Sequence, residues 1–150
     1  MKGTTIFNIL LAAGTTAVAA PTKRAAEFEA VTINSLSATL SDTSGSVQLS
    51  FVDPNYEDST SFSMNWNRPG QPPADTWSDD NNYLLSFPAG VDEIEQLSFV
   101  VKRYGASETI SVAVNNESED SVWTCGPLGG VPGTQRCYAA AQTTITPTSS

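Results

Sequence analysis

The chain of 150 residues contains no histidine, and this absence excludes several classes of function. Without histidine there is no Ser–His or Cys–His nucleophile pair and no histidine-based ribonuclease. No glycine-rich loop followed by lysine is present to cradle a phosphate group. There are only two cysteines, and two thiolates alone make a poor zinc site. The sequence therefore predicts no cofactor and no metal.

Basic residues are also scarce, with seven lysines and arginines against sixteen acidic residues. All sixteen acidic residues lie beyond residue 24, together with four basic ones, so the formal charge of that part is −12. The four are Arg68, Lys102, Arg103 and Arg136. A phosphate backbone or an anionic membrane surface would be repelled. We therefore expect neither nucleic acid nor membrane as a partner, and the charge favours basic partners or an acidic extracellular medium.

The first 20 residues have the layout of a secretory signal peptide, with a charged start at Lys2, an apolar run from 6 to 13 and small residues at 17–19. The apolar run is too short to span a bilayer, and the structural alternative is a short buried helix. Lys23-Arg24 is a candidate dibasic processing site, or else a pair of solvated charges. We predict a signal peptide at 1–20, a processed propeptide at 21–24 and extracellular localisation.

Residues 25–150 form a single predicted domain, near the commonest domain size and large enough to bury its own core. No segment of ten or more residues has a helical period, whereas apolar residues alternate with polar ones in many short runs. The alternation changes phase near Asn34-Ser35, which indicates a β-bulge or a corner between sheets. We predict an all-β fold, a compact antiparallel β-sandwich or β-barrel of about eight short strands, organised around a hairpin between Tyr83 and Tyr104.

Cys125 and Cys137 are the right number for one disulfide in a secreted chain. The alternative is a pair of free thiols. In the chain-entropy model the bridge would stabilise the fold by about 2.5–3 kcal/mol.

Five aromatic residues require a choice between the core and a ligand-binding face: Trp66, Trp77, Tyr83, Trp123 and Tyr138. Trp66 and Trp123 fall on strand alternations, which favours the core. Trp77 lies between a proline-rich loop and an Asp-Asp-Asn-Asn run, and we expect it to be exposed. Together with Asp79, Asp80 and Asn82, it is our candidate contact with a ligand or partner.

The acidic residues allow other interpretations. Asp79-Asp80 with Asp92, Glu93 and Glu95 would supply paired carboxylates for glycoside hydrolysis, although solvated turn charges explain them more simply. Asp79, Asp80 and Asn82 supply oxygen ligands close in sequence, as calcium prefers, but their spacing does not match an EF-hand loop. Asn116-Glu117-Ser118 is a candidate N-glycosylation site at Asn116.

Several segments resemble a family of small secreted fungal proteins. These are Phe51-Val52-Asp53-Pro54 at a strand end, a strand closing on Trp66, the stretch from Trp77 to Phe87 with Asn82-Tyr83, Ile94-Glu95-Gln96-Leu97-Ser98-Phe99, and Trp123-Thr124-Cys125 followed by Cys137. Over roughly 31–145 the chain is similar to the ascomycete family of the major Alternaria allergen. The resemblance implies a β-barrel or sandwich, secretion, and roles as allergens, elicitors or effectors in the plant apoplast, with no established catalytic residues.

One departure from the family's pattern matters. The resemblance implies a second disulfide between a position near Ser61 or Phe62 and one near Ser78, and none of these residues is cysteine here. The expected function is that of an acidic secreted fungal effector-like, elicitor-like or allergen-like protein, a virulence factor that binds a host protein or small ligand and is not an enzyme. The alternatives are a carbohydrate or cell-wall binding module and a carboxylate-dependent glycan hydrolase.

Overall fold

A computed structural model of the chain describes residues 28–119, 121–139, 142–145 and 148–149. The predicted signal peptide and Lys23-Arg24 lie outside the described residues. Within the described ranges no residue is helical, and every strand pairing is antiparallel. The prediction of an all-β fold is confirmed.

The described strands form two sheets, and in chain order they are β1 (Val31–Leu40), β2 (Ser44–Asp53), β3 (Asp58–Asn67), β4 (Asp75–Trp77), β5 (Tyr83–Ser86), β6 (Gln96–Arg103), β7 (Glu108–Asn115), β8 (Trp123–Pro127), β9 (Gln135–Ala139), β10 (Thr143–Ile145) and β11 (Thr148–Ser149). The six-stranded sheet has the order β3-β2-β1-β9-β8, with β10 beside the first residues of β1. The five-stranded sheet has the order β11-β7-β6-β5-β4. The hairpin predicted between Tyr83 and Tyr104 is the β5–β6 pair, and β6 is the central strand of its sheet.

A β-bulge interrupts β1 where the sequence changes phase. The register between β1 and β2 shifts between Ile33 and Ser35, which leaves Asn34 and Ser35 both exposed. Ile33 and Leu36, on either side of the shift, both face the core. The extra residue turns the strand so that one buried face continues along its whole length. The bulge predicted at this position is confirmed.

One hydrophobic core lies between the two sheets. Phe51 of β2 meets Tyr83 of β5 edge-to-face, with ring centroids 5.1 Å apart. Trp123 is 1% exposed, and its indole nitrogen donates to the carbonyl of Ile94 at 2.7 Å. Trp66 is also buried, so both tryptophans occupy the core as predicted. Among the described strands, no strand of one sheet is hydrogen-bonded to a strand of the other, so the sheets are not closed into a barrel. With the core between them, the two sheets form a sandwich.

Gly45 and Trp66 lie directly opposite each other on β2 and β3. A Cβ atom at residue 45 would approach the indole ring to 2.2 Å, closer than any real contact. The ring of Trp66 therefore packs on the bare backbone of β2. Only glycine leaves room for it.

The predicted number of about eight strands is lower than the eleven described, because β4 and β11 were not predicted and because alternation over 137–145 predicted one strand where β9 and β10 lie. β4 lies beside a proline-rich loop, where no alternation is readable because the strand has three residues. The predicted final strand, Cys137 to Ile145, is divided into β9 and β10, which pair with different halves of β1. The described residues contain no helix of the length and apolarity that a membrane crossing requires.

Candidate functional site

Three turns meet at one end of the sandwich, and we call residues 53–58, 77–82 and 103–108 the loop end. The Tyr104 amide donates to the Asn82 carbonyl at 2.8 Å, which joins the second turn to the third. An ion pair between Arg103 and Asp58 joins the third turn to the first. Binding residues are often carried on loops that a rigid scaffold holds in place, and this end has that arrangement.

The turn from Ser78 to Tyr83 is closed at both ends by hydrogen bonds. The Ser78 amide donates to the Tyr83 carbonyl at 2.9 Å, and the Tyr83 amide donates to the Ser78 hydroxyl at 3.0 Å. Asn81 takes the left-handed backbone conformation at φ 59°, which asparagine tolerates better than most residues. The candidate contact residues therefore belong to an ordered turn.

Asp80 holds this turn against β3. Its carboxylate accepts hydrogen bonds from the hydroxyls of Thr60 and Ser78 at 2.7 and 2.5 Å and from the Asn82 side-chain amide at 3.0 Å. Burial alone would raise the pKa of Asp80, but these hydrogen bonds outweigh it and lower the pKa below its usual value. Asp80 is thus an ionised acceptor surrounded by donors, an arrangement that favours a structural role over calcium binding or acid catalysis. No cluster of three or more His, Cys, Asp or Glu side chains suited to a metal occurs in the described part of the chain.

Asp79 links the two sheets at the edge of β3. Its amide donates to the Ser61 carbonyl at 2.9 Å, and the Ser61 hydroxyl donates to its carboxylate. The two segments in which the resemblance implies a second disulfide are therefore adjacent here, held by hydrogen bonds instead of a covalent bridge.

A polar depression of about 440 Å³ opens beside this contact. It is lined by Asn34, Ser50, Ser59, Thr60, Ser61, Asp79 and Asp80. Hydroxyl and amide groups both donate and accept hydrogen bonds, whereas the two carboxylates only accept. The depression is therefore suited to a ligand that carries several hydroxyl groups.

Trp77 and Tyr104 form an exposed aromatic pair beside the same turn. Their ring centroids are 5.5 Å apart with an interplanar angle of 66°, an edge-to-face contact. Trp77 is 46% exposed and Tyr104 is 75% exposed. Trp77 is exposed as predicted, but the sequence analysis missed Tyr104, whose place between a strand end and Gly105 was the available signal. Two neighbouring exposed rings make this the most apolar part of the loop end that water can reach.

Two carboxyl groups are buried below these turns. Asp53 is 0% and Glu108 1% exposed, although they lie on strands of different sheets. The side-chain nitrogen of Asn55 donates to both, at 3.0 Å in each case. Burial, and next the neighbouring Asp53 carboxylate, raises the pKa of Glu108 to about 7. In acidic solution Glu108 is therefore neutral.

Arg103 connects this pair to the surface. It donates to the Tyr83 hydroxyl at 2.7 Å, and that hydroxyl donates to Asp53 at 2.8 Å. The guanidinium carbon of Arg103 lies 3.9 Å from the centre of the Tyr56 ring. A guanidinium nitrogen of Arg103 forms an ion pair with the carboxylate of Asp58. Burial would lower the pKa of Arg103, but the hydrogen bond to Asp58 and the contacts with Tyr83 raise it. Arg103 is thus a fixed cation in an otherwise acidic network, which we call the Arg103 network.

The Arg103 network was not predicted, because its members are far apart in the chain. Asn55 and Glu108 are 53 residues apart, and Arg103 and Asp58 are 45 apart. A weak signal was present, since β2 ends and β7 begins on an acidic residue where a solvated loop was expected.

The other candidate carboxylates lie on a different loop. Asp92 accepts a hydrogen bond from the Gln71 side chain at 2.8 Å, and Glu95 accepts one from Gln135. Glu93 is exposed. Each of the two bonded carboxylates thus has a structural partner in the fold.

The remaining predicted sites lie on strands β7 to β9. Cys125 and Cys137 face each other across β8 and β9 and form the predicted disulfide, with Cα atoms 4.0 Å apart. Asn116 is exposed in the loop after β7, and its side-chain oxygen accepts from the Cys125 amide at 3.3 Å. Glycosylation of Asn116 stays a prediction. Tyr138, left open by the sequence, is 52% exposed.

Fold and site together define a disulfide-bonded all-β sandwich with an exposed aromatic pair at one end. No family model, no curated protein and no solved structure matches this chain. Its resemblance to the family of the major Alternaria allergen thus stays a prediction, and the case for a function depends on the site.

Proposed function

We propose that this chain is a secreted binding protein of the effector, elicitor or allergen type, which recognises a host extracellular protein or small ligand at the loop end without catalysis. The observation that carries this proposal is the exposed pair of Trp77 and Tyr104. The rings are large and amphipathic, and such residues dominate the energy of many binding surfaces.

The surroundings of the pair favour binding because they are already ordered. Trp77 lies on β4, paired with Leu84 of β5, and the backbone of Tyr104 is bonded to Asn82. A surface that is ordered before binding loses less conformational entropy when it binds. Its partner therefore meets the rings in a fixed arrangement.

The charge of the loop end indicates the chemistry of the partner. Asp79 and Asp80 follow Trp77 in the chain, and the residues beyond 24 have a formal charge of −12. Complementary charge accelerates association and excludes acidic competitors. A partner with basic groups around an apolar patch fits this surface best.

Catalysis is less well supported by the carboxyl groups. A glycosidase needs an accessible carboxyl of raised pKa facing a second carboxylate. Glu108 has the raised pKa but is 1% exposed, and the pKa of Asp80 is lowered. These two groups therefore favour binding over hydrolysis.

The disulfide and the Ser61–Asp79 contact also support the proposal. A disulfide is typical of secreted chains. The contact of Ser61 with Asp79 joins the segments that the resemblance would cross-link. Both features are compatible with an allergen-like or effector-like protein.

The test is a capture experiment from plant apoplastic fluid with an immobilised chain of residues 25–150. We expect the W77A/Y104A double variant to lose at least about tenfold in affinity for the captured partner, because the two rings supply the contact. The control is Y138A, which removes a ring that is 52% exposed from the other sheet. Equal capture by both variants, or turnover of a wall polysaccharide by the purified protein, would overturn the proposal.

A carbohydrate-binding function is the second candidate, favoured by the polar depression next to the aromatic pair. Soluble glucan and chitin oligosaccharides should then shift the tryptophan fluorescence of the protein. The shift should vanish in W77F, because Trp66 and Trp123 are buried. An unchanged spectrum at millimolar oligosaccharide would eliminate this candidate for the loop end.

A further inference from the structure

The outer face of β1, β2 and β3 carries no charged side chain between the strand ends. Two of its cross-strand rows are Ser37–Gln48–Ser63 and Thr39–Ser46–Asn65, and they are bordered on β9 by the exposed Tyr138 and Arg136 respectively. The other outward positions of these strands hold Ser, Thr or Asn, with Val52 as the exception. We call this surface the neutral face.

The neutrality of this face contrasts with the charge of the chain. On β1 to β3 the acidic residues are Asp53 and Asp58, both at strand ends beside the loop end, and Asp53 is buried. Exposed sheet edges in natural proteins commonly carry charges that prevent association. β3 is an edge strand of its sheet, yet Ser63 and Asn65 are the exposed side chains in its middle. The face is thus open to a partner without charge.

Sheet geometry places the polar groups of the neutral face on a lattice. Strands are spaced about 4.8 Å apart, and side chains of one face recur about every 6.8 Å along a strand. Hydroxyl and carboxamide groups donate and accept hydrogen bonds, so they match a partner with the same groups. A charged partner would lose hydration here without gaining a counter-charge.

We propose that the neutral face binds the flat, hydroxyl-rich surface of an insoluble neutral polysaccharide. A protein partner fits less well, because protein interfaces usually have an apolar, aromatic-rich centre, whereas the centre of this face holds hydroxyl and amide groups and the ring of Tyr138 lies at its border on β9. The neutral face also continues into the polar depression, where Ser50, Ser59 and Ser61 meet Asp79 and Asp80. Carboxylates accept hydrogen bonds from sugar hydroxyls, so this corner extends the surface.

The neutral face is distinct from the aromatic pair. Trp77 belongs to β4 of the other sheet, whereas the rows of the neutral face belong to β1, β2 and β3. Binding through the neutral face can therefore be tested independently of the proposed function of the loop end.

The test is sedimentation of the chain of residues 25–150 with particles of β-1,3-glucan, cellulose and chitin. We expect binding to at least one of them, changing less than about twofold between about 0.1 and 1 M NaCl, because a neutral contact is not screened by salt. Substituting charge into one row, as S37E/S63E, should weaken binding at least about tenfold, and S37K/S63K should do the same. Weaker binding by both the glutamate and the lysine variant would identify a neutral partner. Tighter binding by the lysine variant would indicate an acidic partner and overturn the proposal.

The matched control is S86E/S111E. Ser86 and Ser111 lie in one row of the other sheet, separated by Val100 as Ser37 and Ser63 are by Gln48. This variant gains the same charge and should bind within about twofold of the wild type. Thermal melts of all variants confirm folding. Three results overturn the proposal: no polysaccharide binding, equal effects of the two glutamate variants, or loss of binding only in W77A/Y104A, which would place the contact at the loop end.

Discussion

The loop end and the neutral face treat charge in opposite ways. At the loop end Asp53, Glu108 and Arg103 are buried or half-buried and linked by hydrogen bonds. The neutral face, on the outer side of β1, β2 and β3, has hydroxyl and amide groups and one exposed apolar side chain, Val52. The high negative charge of the chain is thus not spread evenly over its surface. The described acidic residues lie in turns, loops and strand ends, which leaves the middle of β1, β2 and β3 without a charge.

The loop end and the neutral face should also differ in how much they contribute to the stability of the fold. Buried charges are stable only while each has a partner, so the loop end depends on every member of its network. The exposed hydroxyls of the neutral face are solvated and contribute little to stability. Substitutions should therefore destabilise the loop end strongly and the neutral face weakly.

Removing the cation of the Arg103 network should have the largest effect. Arg103→Met leaves Asp53, Asp58 and Glu108 without a counter-charge, and should lower the free energy of unfolding by about 4 kcal/mol at neutral pH. Denaturant titration measures this loss. The control is Arg136→Met, an exposed cation on β9, with an expected loss below about 0.5 kcal/mol. Equal losses would show that the buried network adds nothing.

Stability should fall as the pH rises through the titration of Glu108. Its pKa increases from 4.5 to about 7 on folding, so the folded state holds a proton that the unfolded state has already released. The contribution is complete below about pH 4.5 and is lost progressively up to about pH 7, by roughly 3 kcal/mol in total. The groups facing Glu108 are Asp53, Asn55, Arg103 and Tyr56.

Glu108→Gln isolates this effect, because glutamine keeps the shape but does not titrate. Unfolding curves measured from pH 4 to pH 8 should lose most of their slope in the variant. A slope that persists unchanged would assign the pH dependence to the general negative charge of the chain.

Reducing the Cys125–Cys137 disulfide should have an intermediate effect. The bridge closes a loop of 12 residues, so its loss is expected to cost about 2–3 kcal/mol and to lower the melting temperature by several degrees. Calorimetry with and without reductant gives the comparison. A melting temperature that does not change would mean that β8 and β9 hold together without the bridge.

The smallest effect belongs to the neutral face. Ser63→Ala removes one exposed hydroxyl and should change the free energy of unfolding by less than about 0.5 kcal/mol. A loss above about 1 kcal/mol would mean that these hydroxyls support the sheet itself, and the contrast with the loop end would disappear.

The sequence predicted the fold best where structure is local. Alternation identified the hairpin of β5 and β6, and the change of phase at Asn34-Ser35 located the bulge. The two cysteines predicted their own bridge. Each of these signals lies within a few residues, or follows from there being only one partner, so a single sequence is sufficient to read it.

The site was only partly predictable, because its contacts span the chain. The turn of Trp77 to Asn82 was singled out, and the structure places an exposed ring and two bonded carboxylates there. Tyr104 and the Arg103 network were not foreseen, since turns far apart in sequence meet only after the sheets have packed. The neutral face was not predicted for another reason. Its residues are common surface residues when taken one at a time, and only the strand register brings them together on one face.

That register depends on the contact between Gly45 and Trp66. A shift of β3 by two residues along β2 would keep the inner and outer faces but place the indole ring against a residue with a side chain. The ring would then have no room, since even one added carbon at residue 45 lies 2.2 Å from it. A single glycine thus aligns the serines, asparagines and glutamine of β2 and β3 into rows, and a buried packing contact determines the order of the solvent-facing surface.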